Sequence, residues 1–160
     1  MRRVRRQVQL IRRYTASLGI ALAVVVADLV TKRYASLHFA DSPVEVIPGF
    51  LTFTFTENPG AAFSLFQNAG PFLGVAAIVV SVFVVWSMRV ERPLLEVIAL
   101  SLVLGGALGN LMDRVFRGEG LLDGKVIDWV AMWWIPTFNI ADASVTIAVG
   151  LLLIHAWRTK

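Results

Sequence analysis

The chain has 160 residues, of which 57% are hydrophobic and 16% charged, with a formal net charge of +4 and no cysteine. Such a composition is typical of an integral membrane protein, because a soluble domain of this length could not cover so much apolar surface. The lack of cysteine excludes disulfides, thiol catalysis and thiolate metal sites.

Four segments are long and apolar enough to cross a bilayer, which takes about 20 residues. In chain order they are residues 17–35, 70–88, 94–113 and 138–157. No linker or repeat separates them, so residues 1–160 are predicted to form one integral membrane domain. The predicted fold class is an all-α membrane protein with four transmembrane helices.

Positive charge is concentrated at three places along the chain. Ten of the 15 Lys and Arg residues lie before the first span (Arg2, Arg3, Arg5, Arg6, Arg12, Arg13), between the second and third (Arg89, Arg92) and after the fourth (Arg158, Lys160). If the chain crosses four times, all three clusters share one side, and the positive-inside rule predicts cytoplasmic termini. This charge is expected to orient the chain and contact anionic headgroups, so no nucleic-acid partner is expected.

The two long connections, 36–69 and 114–137, are then predicted to lie outside the cytoplasm. In the first, LTFTFT (51–56) alternates apolar residues with threonine, which is typical of a strand with one apolar face. VEVI (44–47) is a candidate partner, so a small extracytoplasmic β-sheet is expected. Asn58-Pro59-Gly60 predicts a turn, after which residues 61–66 lead back toward the bilayer.

Four acids from different chain segments are predicted to converge at one depth. With a rise of about 1.5 Å per helical residue, Asp28, Asp113 and Asp142 fall in the outer part of the hydrocarbon slab. Asp128 lies in the outer connection, just before WVAMWWI (129–135), which is predicted to be interfacial. Intramembrane acids are costly and by default indicate a functional site.

Two of these acids have basic residues near them in sequence. Asp28 and Lys32 have i, i+4 spacing, which favours an intrahelical ion pair that braces the site. Asn110, Asp113 and Arg114 are predicted to share one helix face. Asp113 is expected to pair with Arg114, which would make it a poor proton carrier.

The same helix carries a packing motif. Gly105 and Gly109 form a small-xxx-small pattern that allows another helix to approach closely.

Asp128 and Asp142 are the acids without a basic residue close by. For Asp142, with Asn139 three residues earlier, a role as a helix cap or first-turn acid is an open alternative. Against that alternative, the acid is predicted to lie a full turn inside the apolar stretch.

Elimination favours carboxylate chemistry. His38 and His155 are predicted to lie on opposite sides of the membrane, which excludes a histidine-based triad or metal site. Two carboxylates that approach closely must share a proton, and such a pair can activate water as in aspartic proteases, without a metal or cofactor.

Two other classes remain open. A small proton-coupled transporter would need an acid near the cytoplasmic side, where Glu96 is the candidate. A non-catalytic assembly factor would use the outer sheet for binding.

Five blocks in order resemble the prolipoprotein signal peptidase (signal peptidase II) family over nearly the whole chain. They are DLVTK (28–32), NPGAAFS (58–64), GGALGNLMDR (105–114), VIDW (126–129) and FNIADA (138–143). The resemblance implies an aspartic endopeptidase of the bacterial inner membrane, with its active site near the extracytoplasmic face. It implies cleavage of diacylglyceryl-modified prolipoproteins just before the lipidated cysteine, in a protein that is expected to be monomeric within the lipid bilayer.

The resemblance also implies roles for individual residues. Asp128 and Asp142 match the family's catalytic pair. Four residues match positions that line the pocket, contact substrate or brace the acids: Asn58, Asn110, Arg114 and Asn139. Asp28 and Lys32 match positions with a structural role.

The sequence departs from the family pattern at three places. Leu29 stands where Gln is common, and Trp129 stands where Phe is common and is expected to narrow the pocket. The segment 117–125 lengthens the gap between Arg114 and Asp128, and it contains a second acid, Asp123, outside any apolar block.

Overall fold

A computed structural model describes residues 2–60 and 69–159, with side chains from Arg13 onward. In this part of the chain the elements are α1 (Arg2–His38), β1 (Val44–Ile47), β2 (Leu51–Asn58), α2 (Gly70–Ser87), α3 (Leu94–Phe116), β3 (Val126–Met132), β4 (Ile135–Phe138) and α4 (Ile140–Arg158). Residues 61–66, including part of the NPGAAFS block, lie outside the described residues. The four predicted spans are confirmed, as Arg13–His38, Gly70–Ser87, Leu94–Phe116 and Ile140–Arg158 are long and apolar enough to cross a membrane.

Helix α3 lies at the centre of the bundle and packs against each of the other three helices. The close approach predicted at Gly105 and Gly109 is confirmed, and a Cβ on Gly109 would lie 2.8 Å from Oδ2 of Asp28 in α1. Gly106, which was not predicted, also allows close approach. A Cβ on Gly105 would lie 2.7 Å from the Cβ of Val24 in α1, and one on Gly106 would lie 2.5 Å from the carbonyl oxygen of Ala141 in α4. Any side chain at these two positions would separate the helices that carry the polar residues.

The bundle exposes apolar side chains and buries small or charged ones. Leu22, Val82 and Leu153 are each more than 60% exposed, whereas Asp28 and Lys32 are fully buried. This is the arrangement expected of helices whose outer faces contact lipid.

Four antiparallel strands form one sheet in the order β1-β2-β3-β4. The β1–β2 hairpin was predicted from sequence, but β3 and β4 were not. The stretch 129–135, predicted only to be interfacial, supplies most of β3 and the start of β4. Trp133 and Trp134, at the turn between the two strands, are 76% and 69% exposed.

An aromatic chain joins the sheet to the end of α1. Ring centroids are 5.6 Å apart for Tyr34 and Phe39, 5.7 Å for Phe39 and Phe53, and 5.3 Å for Phe53 and Trp129. These contacts hold β2 and β3 over the polar end of the bundle. Trp129 packs on Phe53 and is not part of the cavity lining described below, so the expectation that it narrows the pocket is wrong.

Candidate active site

Asp128 lies on β3 and is only 2% exposed. Strand pairing places it opposite Thr56 of β2, two residues before Asn58 at the end of that strand. Its carboxylate accepts hydrogen bonds from the side-chain amides of Asn58 (3.0 Å) and Asn139 (2.7 Å). Two strands and the residue before α4 therefore fix the position of this acid.

Asp142 lies in the first turn of α4, as the helix-cap interpretation predicted. Asn139 is the N-cap, and its side-chain oxygen accepts a hydrogen bond from the Asp142 backbone N–H at 2.9 Å. The Asp142 carboxylate in turn accepts from the Asn139 backbone N–H at 3.2 Å, completing a capping box. The expectation that the acid lies a full turn inside the apolar stretch is wrong, because α4 begins only at Ile140.

Two asparagine side chains link the two acids. Asn139 is fully buried, caps the helix at Asp142 and donates to Asp128. Asn110 of α3 donates to Oδ1 of Asp142 at 2.8 Å and accepts from the Asn139 amide at 3.1 Å. Of the four acids predicted to converge, Asp128 and Asp142 are therefore joined through Asn110 and Asn139.

The surroundings of Asp128 favour its protonated form. The pKa of Asp128 is raised to about 7, mainly by burial and also by the charge of Asp142, whereas the hydrogen bonds from Asn58 and Asn139 oppose the shift. Asp142 lies at a helix N-terminus, where the helix dipole stabilises a negative charge. The two acids thus have unequal environments, which suits one donor and one acceptor of a proton.

Both acids face an open cavity of about 820 Å³. Besides Asp142, the predicted site residues that line it are Asn58, Asn110, Arg114 and Asp128. A larger set of apolar residues completes the lining: Leu73, Ala77, Ala107, Trp134, Ile135, Pro136, Phe138, Ala143, Val145 and Ile147. The sequence did not predict this apolar lining. The residues come from four separate elements, and from sequence alone they cannot be distinguished from apolar residues that face lipid.

Arg114 stands at the wall of this cavity and is 5% exposed. One of its terminal nitrogens donates to the carbonyl oxygen of Gly60 at 3.0 Å, while Nη1 is buried and has no hydrogen-bond partner among the described residues. Gly60 was missed as a site residue, although the Asn58-Pro59-Gly60 turn was predicted. The hydrogen bond from Arg114 ties the end of α3 to the turn that follows β2.

Asp113 does not pair with Arg114, and that prediction is wrong. Asp113 is turned away from the cavity and contacts Lys32 at 2.8 Å and Arg117 at 2.5 Å. Successive residues on a helix do not face each other, whereas i and i+4 do. Asn110 and Arg114 therefore share the cavity face, and Asp113 lies on another.

Lys32 also contacts Asp28 at 2.6 Å, which confirms the predicted i, i+4 ion pair. Asp28, Lys32 and Asp113 form a cluster of charges, at most 1% exposed, behind the cavity. None of the three lines the cavity itself.

Asp123 has no part in the site. Its carboxylate accepts from the backbone N–H of Gly120 at 3.0 Å and closes a turn in the 117–125 segment. Within residues 2–60 and 69–159, no group of three histidine, aspartate or glutamate side chains is placed to hold a metal ion.

Comparison with known proteins gives consistent matches. The family model described as signal peptidase (SPase) II matches residues 20–158. The lipoprotein signal peptidase of Symbiobacterium thermophilum is 40% identical over 147 residues, covering 87% of this chain and 92% of its own length. That of Ectopseudomonas mendocina is also 40% identical over 147 residues, covering 88% of this chain and 86% of its own length.

Two solved structures described as bacterial membrane enzymes have the same fold. One is 33% identical with a TM-score of 0.80, covering 90% of this chain and 88% of its own. The other is 34% identical with a TM-score of 0.76, covering 89% and 92%. With the family match extending over most of the chain, the four-helix protein with its four-stranded sheet belongs to the signal peptidase II family of bacterial membrane peptidases.

Proposed function

We propose that this protein is an aspartic endopeptidase that removes the signal peptide from diacylglyceryl-modified prolipoproteins, cutting just before the lipidated cysteine. Asp128 and Asp142 are the catalytic residues. One observation carries the proposal: an acid of β3 and an acid of α4 are bridged by the same asparagine and face one open, largely apolar cavity. The lipoprotein signal peptidases that resemble the chain support the choice of substrate.

The chemistry follows from the unequal environments of the acids. Asp142 takes a proton from a water molecule, whose oxygen attacks the scissile carbonyl carbon and forms a C–O bond. Asp128, protonated below about pH 7, donates its proton to the carbonyl oxygen. When the tetrahedral intermediate collapses, one of its hydroxyl groups returns a proton to Asp128 as the C=O bond of the carboxylic acid product forms. The C–N bond breaks, and the amine nitrogen receives the proton held by Asp142.

The surroundings of the pair suit this substrate. Apolar residues of α2, α4 and the β3–β4 segment line the cavity and can accept an acyl chain. Arg114 lines the cavity, where its guanidinium group can donate to a peptide carbonyl group. With cytoplasmic termini, the active site lies near the extracytoplasmic face, where the acyl chains of such a substrate would be in the outer leaflet.

The test is cleavage of a purified diacylglyceryl-modified prolipoprotein by the purified enzyme. Asp142→Asn and Asp128→Asn are expected to lose cleavage, because neither amide can exchange a proton with water or substrate. Asp123→Asn is the matched control, since it makes the same change in a turn outside the cavity. Retained cleavage by Asp142→Asn, with Asp123→Asn equally active, would exclude the aspartic mechanism.

A further inference from the structure

We propose that Lys32 is a positioning residue whose buried ammonium group fixes the relative placement of the two catalytic carboxyl groups, an inference that rests on the proposed function. Lys32 lies on α1, whose described residues contribute nothing to the cavity lining. Its Nζ contacts Asp28, Asp113 and the side-chain oxygen of Asn110, at 2.6, 2.8 and 2.9 Å.

Each partner of Lys32 also holds part of the active site. Oδ1 of Asp28 accepts from the backbone N–H of Ala141 at 2.9 Å, one residue before Asp142. Oδ2 of Asp113 accepts from the backbone N–H of Ile127 at 3.2 Å, one residue before Asp128. The two buried carboxylates therefore anchor the backbone beside each catalytic acid, and both are held by the same cation.

The third partner, Asn110, contacts a catalytic acid directly. An ammonium group only donates hydrogen bonds, so the Asn110 atom facing Lys32 must be its oxygen. Its NH₂ group is then directed to Asp142, at 2.8 Å from Oδ1. Lys32 thereby fixes the orientation of the Asn110 amide, so that Asp142 faces the NH₂ group of Asn110 and not its oxygen, which would repel the carboxylate.

Because the cluster of Asp28, Lys32 and Asp113 is buried, solvent cannot substitute for any of its charges. Lys32 and Asp28 are fully buried and Asp113 is 1% exposed, so water cannot take over the missing charge. Oδ2 of Asp28 has no hydrogen bond among the described residues, and the ion pair with Lys32 is what compensates it. A cluster that served only to join α1 to α3 would not need to reach Ala141 and Ile127.

The first measurement is steady-state cleavage by Lys32→Met in the purified enzyme. We expect kcat to fall about 100-fold, the cost of misplacing reacting groups by roughly 1 Å, with KM unchanged because Lys32 does not touch the cavity. Lys125→Met is the matched control: it removes an ammonium group paired with Glu57 on the exposed side of the sheet, and it should behave as wild type.

The dependence of kcat on pH distinguishes a positioning role of Lys32 from a lower fraction of folded enzyme in the Lys32→Met variant. Asp128 is faced by Lys32 of α1, Asn58 of β2, Arg114 of α3, and by Asn139 and Asp142 at the start of α4. Among these the Lys32 charge lowers the pKa of Asp128, so its removal should move the alkaline limb of kcat to higher pH. Less folded enzyme would lower the rate at every pH without moving the limb.

A double-mutant cycle tests whether Lys32 acts partly through Asn110. The losses of kcat caused by Lys32→Met and by Asn110→Ala, expressed as free energies, should be less than additive in the double variant. Both changes remove the oriented donor to Asp142. If Lys32→Met does not fold, Asp28→Asn/Lys32→Met restores the charge balance and can be measured in the same way. The amide oxygen that this variant introduces at position 28 can still accept from Ala141.

The outcomes distinguish this proposal from the previous one. Wild-type kcat and an unmoved pH limb in the folded Lys32 variant, with Asp142→Asn inactive, would overturn the positioning role alone. Cleavage by Asp142→Asn would overturn the proposed function first. A raised KM with unchanged kcat would also overturn the positioning role, since it would place the effect in binding.

Discussion

The two ends of the bundle differ in how deeply their charged side chains are buried. At the end beneath the sheet, Asp28, Lys32 and Asp113 are almost completely buried. At the other end, Glu96 contacts Arg92 at 2.9 Å and His155 at 3.0 Å, and these side chains are 21–30% exposed. The first set is connected to the cavity acids through hydrogen bonds, whereas the second forms a local ion-pair group near the helix ends.

The region between the two ends is mostly apolar or made of small residues. Ser17 and Ser101 hydrogen bond at 2.7 Å, and the buried cluster around them includes Ala21 and Leu104. Among the described residues, the buried charged side chains are thus concentrated at one depth, as expected of a hydrolytic site. They are not spread along a path, as a proton-coupled transporter would require. Since Glu96 already has two partners, the difference between the ends favours the peptidase over the transporter.

The largest effect is expected at the acids of the buried end. Asp128→Ala and Asp142→Ala should each lower kcat about 10⁴-fold, the upper range for positioned acid–base groups. Because the proposed mechanism uses the two acids as a pair, the double variant should be no slower than either single variant. A double variant slower by the product of the two effects would show that the acids act independently.

A smaller effect is expected from helix packing beside that end. Gly106→Ala places a Cβ within 2.5 Å of the Ala141 carbonyl oxygen and should destabilise the protein by about 1–3 kcal/mol, measured by thermal unfolding in detergent. Gly150→Ala in α4 is the matched control, since a Cβ there meets nothing within 4 Å. It should leave stability unchanged or raise it by about 1 kcal/mol. Equal effects of the two changes would contradict the close α3–α4 contact.

The pH dependence gives a moderate effect with a defined sign. Asp128 has a pKa of about 7, so it is protonated below that pH and loses its proton above it. Donation to the carbonyl oxygen needs the proton, and kcat should therefore fall about tenfold per pH unit on the alkaline side. A rate that rises through pH 7 and 8 would contradict the assignment of Asp128 as proton donor.

The smallest effect is expected at the opposite end. Glu96→Gln removes a partly exposed ion-pair group, worth about 1 kcal/mol or less, and should leave cleavage unchanged. The measurement is kcat/KM beside wild type. A loss comparable to that of Asp142→Asn would instead support a proton path through the membrane.

The sequence predicted the parts of the molecule that depend on local pattern. The four spans and the β1–β2 hairpin follow from apolar run length and from the alternation in residues 51–56. Strand β3 was missed because Val126, Ile127 and Asp128 are all buried, so its two faces do not alternate in polarity. The five blocks supplied the candidate site residues, and the structure brings six of them together: Asn58, Asn110, Arg114, Asp128, Asn139 and Asp142.

What the sequence could not supply is the choice of partners within the polar cluster. Asp113 was assigned to its neighbour Arg114, but tertiary packing brings Lys32 from α1 and turns Arg114 toward Gly60. Similarly, Asn139 was expected near Asp142, yet its bond to Asp128 depends on the sheet that sequence only half predicted. Contacts between elements distant in sequence decide these pairings.

The position of Asn139 has a consequence for biosynthesis. This residue begins the last helix of the described chain and is the side chain that contacts both acids. A nascent chain synthesised only to the end of β3 therefore carries Asp128 but neither Asn139 nor Asp142. Under the proposed mechanism, the protein cannot hydrolyse a peptide bond until the fourth span has been translated and inserted into the membrane. The order of the elements along the chain therefore determines when proteolysis can begin.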